Sequence, residues 1–114
     1  MKIEGEGQLL RIFIGENDKW EHQPLHEAIV MKARQAGLAG ATVLRGFLGF
    51  GANSRIHTSK ILRLSEDLPI VIEIVDKPDK IQEILPELDK MIGEGMMTIE
   101  KVNVVAYRSV KNPK

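Results

Sequence analysis

The sequence contains no cysteine, which removes disulfides, thiolate metal sites and a thiol nucleophile from consideration and suits a reducing compartment. Aromatic residues are scarce at 4%, too few for the stacking platforms that bind single-stranded nucleic acid. Net charge is missing too: 16 Lys and Arg balance 16 Asp and Glu, so the global basicity of a nucleic-acid binder is absent. No apolar run approaches the roughly 20 residues of a membrane helix, and the best, Leu68 to Val75, is interrupted by Pro69 and Glu73. The opening stretch Met1 to Gly7 is polar and charged, unlike a secretory leader. What is there is a chain of 114 residues, 43% hydrophobic and 28% charged, the balance of an ordinary globular domain. One domain is expected over 1–114, with its core over about 8–108 and flexible ends at 1–7 and 109–114. The expected setting is the cytoplasm, with no nucleic-acid partner and no direct membrane insertion.

The neutral total hides an asymmetry. Leu38 to Ser65 carries Arg45, Arg55, Lys60, Arg63 and His57 with no carboxylate, whereas Glu66 to Glu100 carries ten carboxylates against Lys77, Lys80 and Lys90. Two solvated faces that attract each other would explain this, and so would an anion site in the basic segment.

Periodicity predicts the element order strand, helix, strand, strand, helix, strand. Gln8 to Gly15 alternates Leu10, Ile12 and Ile14 with Leu9, Arg11 and Phe13. Glu16 to Gln23 reads as a loop. Pro24 suits the first turn of a helix with the stripe Leu25, Ala28, Ile29, Ala33 and Ala36, stopped by Gly37. Ala41 to Phe50 reads as a strand, Gly51 to Lys60 as a polar loop, and Leu68 to Val75 as the clearest strand. Asp76 is positioned to cap a second helix striped with Ile81, Ile84, Leu85, Leu88, Met91 and Ile92, which Pro86 should kink or split. Ile99 to Tyr107 is the last strand. Two such βαβ halves imply an α+β, ferredoxin-like βαββαβ sandwich, an antiparallel four-stranded sheet with both helices on one face. The first and third strands, the most apolar, belong in its centre.

That fold leaves the second sheet face uncovered. Strict alternation puts Leu9, Phe13, Phe47, Val71, Val75 and Val105 there, together with Arg11, Arg45, Glu73 and Asn103. So much exposed apolar surface is unusual for a monomer, and charges buried in a contact need partners. Open faces packing together satisfy both demands, so we expect an oligomer whose face includes Arg11, Phe13, Arg45, Phe47 and Glu73.

The most informative stretch runs from Gly37 to Gly51 and on through Ala-Asn-Ser54-Arg55-Ile-His57-Thr58. Glycines inside a strand can mark nothing more than close backbone packing. Beside the hydroxyls of Ser54 and Thr58 and the cations Arg55 and His57, they also suit a phosphate-binding concavity. The pattern Gly40-x-Thr42-Val43, Gly49-Phe50-Gly51 and His57-Thr58 resembles that of PII signalling proteins. Over residues 8–108 the chain also resembles an uncharacterised prokaryotic family of small PII-like proteins, through its IGEND, GLAGATVLRG, SRIHT and LSEDLPI segments. The PII resemblance implies homotrimers with a nucleotide in clefts between subunits. It also implies a loop, here 51–60, that touches a regulated partner such as a membrane transporter or an enzyme. It maps Thr42, Gly49 and Gly51 onto the nucleotide cleft and Arg108 onto a phosphate contact. Two departures matter. One extra residue between Gly40 and Gly49 suggests a bulge near Gly46, and the turn Gly93-Glu94-Gly95 lacks the cations expected there. An adenine nucleotide with one or two phosphates, AMP or ADP, therefore fits better than ATP. No cofactor is required for such a role. A CutA-like trimer, responsive to metal or serving only interaction, is the alternative.

Catalysis is not expected. His57 has no neighbouring carboxylate in sequence, and Ser54 and Ser59 lack a nucleophile-elbow context. His22 and His26 have an i, i+4 spacing, but Pro24 starts the helix between them. Glu73 on a buried face fits an ion pair with Arg11 or Arg45 better than a general acid.

Overall fold

The computed structural model describes residues 4–51 and 67–110. The main sheet is built from β1 (Gly5–Gly15), β4 (Thr42–Arg45), β5 (Pro69–Asp76) and β6 (Met96–Val104). These lie in the order β4-β5-β1-β6, with every neighbouring pair antiparallel. Helices α1 (Leu25–Gln35) and α2 (Pro78–Met91) supply the second layer. This is the expected ferredoxin-like sandwich, with the two most apolar strands, β1 and β5, at its centre.

Register explains the core. Leu10 faces Ile74, Ile12 faces Ile72 and Ile14 faces Ile70. All six are buried, and the helices close over them with Leu25, Ile29, Ile81 and Leu88. Side chains of period 2 on the strands meet side chains of period 3.6 on the helices, which leaves one continuous apolar layer.

Several elements differ from expectation. The stretch 16–23 is not all loop: β2 (Lys19–Trp20) and β3 (Gln23–Pro24) form a small hairpin. Its two turn residues, Glu21 and His22, both adopt positive φ, the backbone of a type I′ turn. Pro24 precedes α1 instead of opening it. Asp76 does not cap α2, which starts after Lys77 with Pro78 in its first turn. Pro86 neither splits nor ends α2, which runs unbroken through it. Residue 86 is exposed, so water can reach the carbonyl that lost its amide partner. Strand β4 stops at Arg45, five residues short of Phe50, and its pairing with β5 is continuous. The expected bulge at Gly46 is therefore absent; that amide donates to the Pro69 carbonyl at 2.8 Å. Finally, β6 begins at Met96, three residues early, and ends at Val104.

Candidate functional site

The open sheet face is organised in rows set by register. One row is Leu44, Val71, Phe13 and Met96, and a second is Thr42, Glu73, Arg11 and Thr98. A third brings Val75, Leu9 and Glu100 together. A polar strip thus crosses an otherwise largely apolar face. Within it Arg11 is held on both sides: its Nε donates to Glu73 at 3.0 Å and its Nη1 to Glu100 at 3.3 Å. The hydrogen bond to Glu73 raises the Arg11 guanidinium above its ordinary value, so it stays charged.

Arg11, Phe13 and Glu73 therefore share the open face as expected, and three other assignments are corrected. Arg45 lies opposite the core residue Ile70, on the helix side, and pairs with Glu16 at 3.1 Å. Phe47 lies beyond the end of β4, 82% exposed. Asn103 faces Glu6 on the helix side of β6, and Val105 lies past the strand. Alternation carried from one strand to the next without register cannot make these distinctions. The Glu100 contact was missed for the same reason. The signal for it was Met97, an apolar residue that packs under the helices and so turns Thr98 and Glu100 outward.

The residues assigned to a nucleotide cleft fall at separate places. Thr42 opens β4, exposed, opposite Glu73. Gly49 sits at the other end of β4, where a Cβ would come within 2.9 Å of Pro69 Cγ. Gly51 lines a cavity of about 480 Å³ with Phe13, Phe50 and Pro69, rimmed by the carboxylates of Asp18, Asp67 and Glu94. Asp18 accepts from the Gly15 amide and Asp67 from the Asn17 amide, so both also hold local backbone. Ser54, Arg55, His57 and Thr58 lie outside the described residues.

Arg108 stands at the opposite end of the sheet. It lines a second cavity, about 470 Å³, with Gly37, Leu38, Ala39, Tyr107 and Ser109. Two bonds fix this end: Tyr107 Oη donates to the Ala39 carbonyl at 3.3 Å, and the Tyr107 amide donates to Glu4 at 3.1 Å. A third element is the fully buried carboxylate of Asp76, which accepts from the Ala39 amide at 2.8 Å and the Lys77 amide at 2.7 Å. It pins the chain just before Thr42 to the start of α2. From Asp76 to Pro69, the two ends of β5, is seven residues, or about 23 Å. One copy of the chain therefore does not bring Arg108 to Gly49 and Gly51.

Comparison with known proteins bears on this arrangement. Residues 7–104 match the model of the family DUF190, described as "Uncharacterized ACR, COG1993". A UPF0166 protein of Aquifex aeolicus (strain VF5) is 38% identical over 98 residues, 86% of this chain and 92% of that one. A UPF0166 protein of Methanocaldococcus jannaschii is 33% identical over 100 residues, covering 87% of this chain and 92% of the relative. Among solved structures, a PII-like signaling protein from Thermus thermophilus superposes with a TM-score of 0.61 at 19% identity, covering 92% of this chain and 94% of its own. CPII from Thiomonas intermedia K12, bound to ADP and bicarbonate, superposes with a TM-score of 0.58 at 16% identity, covering 89% and 90%. A second structure of that CPII, bound to ADP, AMP and acetate, gives a TM-score of 0.54 at 14% identity, covering 93% and 94%. At these identities the solved structures establish a shared PII-like fold.

Proposed function

The chain belongs to the DUF190 family, and from that premise we propose that it is a non-enzymatic, homotrimeric regulatory protein binding an adenine nucleotide in clefts between subunits. The observation that carries this reading is the division of the candidate site. Thr42 and Arg108 carry nucleotide-binding chemistry but stand apart from Gly49 and Gly51, as parts contributed by different copies would. The half-buried open face, apolar but crossed by an ion-paired strip, supplies a surface for self-association. AMP or ADP is the favoured ligand. The turn at Glu94 has no cation, and the CPII of the same fold is bound to ADP in one structure and to ADP and AMP in another.

Thr42 orients the base or ribose through its hydroxyl, and Gly51 allows close backbone approach. Arg55, His57 and Arg108 are the candidate cations for phosphate, with Ser54 and Thr58 as hydroxyl donors. Residues 51–60 would carry the state of the cleft to a protein partner, a transporter or an enzyme.

Calorimetry with AMP, ADP, ATP and divalent metals tests the reading, alongside light scattering for the assembly. A charge-assisted bond to phosphate contributes about 1.5–3 kcal/mol, so Arg55→Ala or Arg108→Ala should weaken binding by roughly 10- to 100-fold. Gly51→Val should abolish binding and leave the trimer intact. Gly49 is a poorer probe, because its substitution also collides with Pro69. Unchanged affinity in both Gly51→Val and Arg55→Ala would place the site elsewhere. Heat from metals with none from nucleotides would replace this reading by the CutA-like one.

A further inference from the structure

Among the described residues, both edges of the main sheet are open. Strand β4 leaves one side unpaired over four residues, and β6 leaves one side unpaired over nine. A flat edge of nine residues, with neither proline nor bulge in its pairing to β1, is a ready template for another strand. The four strands alternate in direction from β4 to β6, so the two edges run opposite ways. A copy rotated about an axis along the strands keeps those directions. Its β4 then meets the first copy's β6 antiparallel, and the alternation continues across the junction.

We propose that β6 of one copy pairs, edge to edge and antiparallel, with β4 of a second copy, so that the sheets of the assembly are continuous. This rests on the self-association in the reading above and adds its hydrogen-bonded seam. Three observations select this occupant. Head-to-tail pairing uses both open edges of every copy, and a closed ring then leaves none, whereas a two-fold β6–β6 contact leaves each β4 bare. The seam continues the open face, so Leu44 of one copy follows Met96, Thr98 and Val102 of the other on one side of the sheet. Antiparallel pairing also sets the end of β6, and Arg108 beyond it, beside the start of the neighbour's β4.

The absence of native cysteine makes the test direct. Leu44→Cys is combined in one chain with Thr98→Cys, Val102→Cys or Val104→Cys, and each purified protein is mildly oxidised. At least one pair should give reducible dimers and a covalently closed ring on a denaturing gel, while each single-cysteine chain stays monomeric there. Dimers from a single cysteine on β6 would overturn the proposal in favour of a two-fold contact. A trimer by light scattering with no cross-link in any pair would overturn the seam and leave the trimer standing. A monomer by light scattering would end both. Should a cysteine pair disturb folding, amide exchange of the parent protein answers the same question. Those β6 amides that point away from β1 should exchange slowly in the assembly and quickly on dilution to monomer. Fast exchange in the assembly overturns the seam.

Discussion

Asp76 is the residue on which most local order depends. Its carboxylate is shut away from water and satisfies two backbone donors, one before β4 and one at the start of α2. Asp76→Ala strands both, and an unsatisfied buried donor costs about 1–3 kcal/mol. Chemical denaturation should therefore show a loss of about 2–4 kcal/mol for Asp76→Ala and a smaller one for Asp76→Asn, which keeps one acceptor. Arg11 behaves differently. Its folded-state pKa is raised, chiefly by the hydrogen bond to Glu73, so whatever it contributes is fully present below its unfolded pKa and is lost only in strongly alkaline solution. Denaturation midpoints of the parent and Arg11→Gln should accordingly run parallel from about pH 6 to about pH 9.

Among the elements, α2 carries a removable defect. Pro86 interrupts the amide ladder on an exposed turn, yet the helix persists because Ile81, Ile84, Leu88 and Met91 anchor it to the sheet. Pro86→Ala restores an amide and should raise the unfolding free energy by roughly 1–3 kcal/mol, since proline inside a helix costs about 3 and its stiffening of the unfolded chain returns part of that. Leu88→Ala, in the fully buried row of the same helix, should lower it by about 2–5 kcal/mol. Elements of this kind were legible in the sequence because period and burial coincide. Ile70, Ile72 and Ile74 announce a central strand by alternation alone, and Gly37 with its φ of +81° ends α1 where expected. Packing that holds a proline in a helix has no local signature. Neither does the turn through Glu21 and His22, whose side chains are not those that favour positive φ. The faces of β4 and β6 escaped for a third reason: register belongs to pairs of strands, and one sequence read alone contains no pairs.

For the whole molecule, the site residues were legible as chemistry but not as geometry. Thr42, Gly51 and Arg108 carry the right groups, and only the sheet's length reveals that one chain keeps Arg108 and Gly51 apart. If the cleft joins Thr42 of one copy to Arg108 of the next, two defective chains should repair each other. Thr42→Ala and Arg108→Ala proteins, each weak alone, are mixed and allowed to exchange subunits. About one cleft in four then draws Thr42 and Arg108 from intact donors in a head-to-tail ring, and calorimetry should recover that fraction of parental sites. No recovery after verified exchange would place both residues in one copy's own site.

The bond between Tyr107 and the Ala39 carbonyl has a practical corollary. This is the chain's one tyrosine, and its one tryptophan, Trp20, packs against the core on the hairpin next to α1's first turn. Each ring is thus a built-in optical probe with a single address, and the two addresses lie at opposite ends of the sheet. Nucleotide that engages the Arg108 end should perturb the phenol's ultraviolet absorption before it moves the indole's emission, whereas unfolding should shift both together.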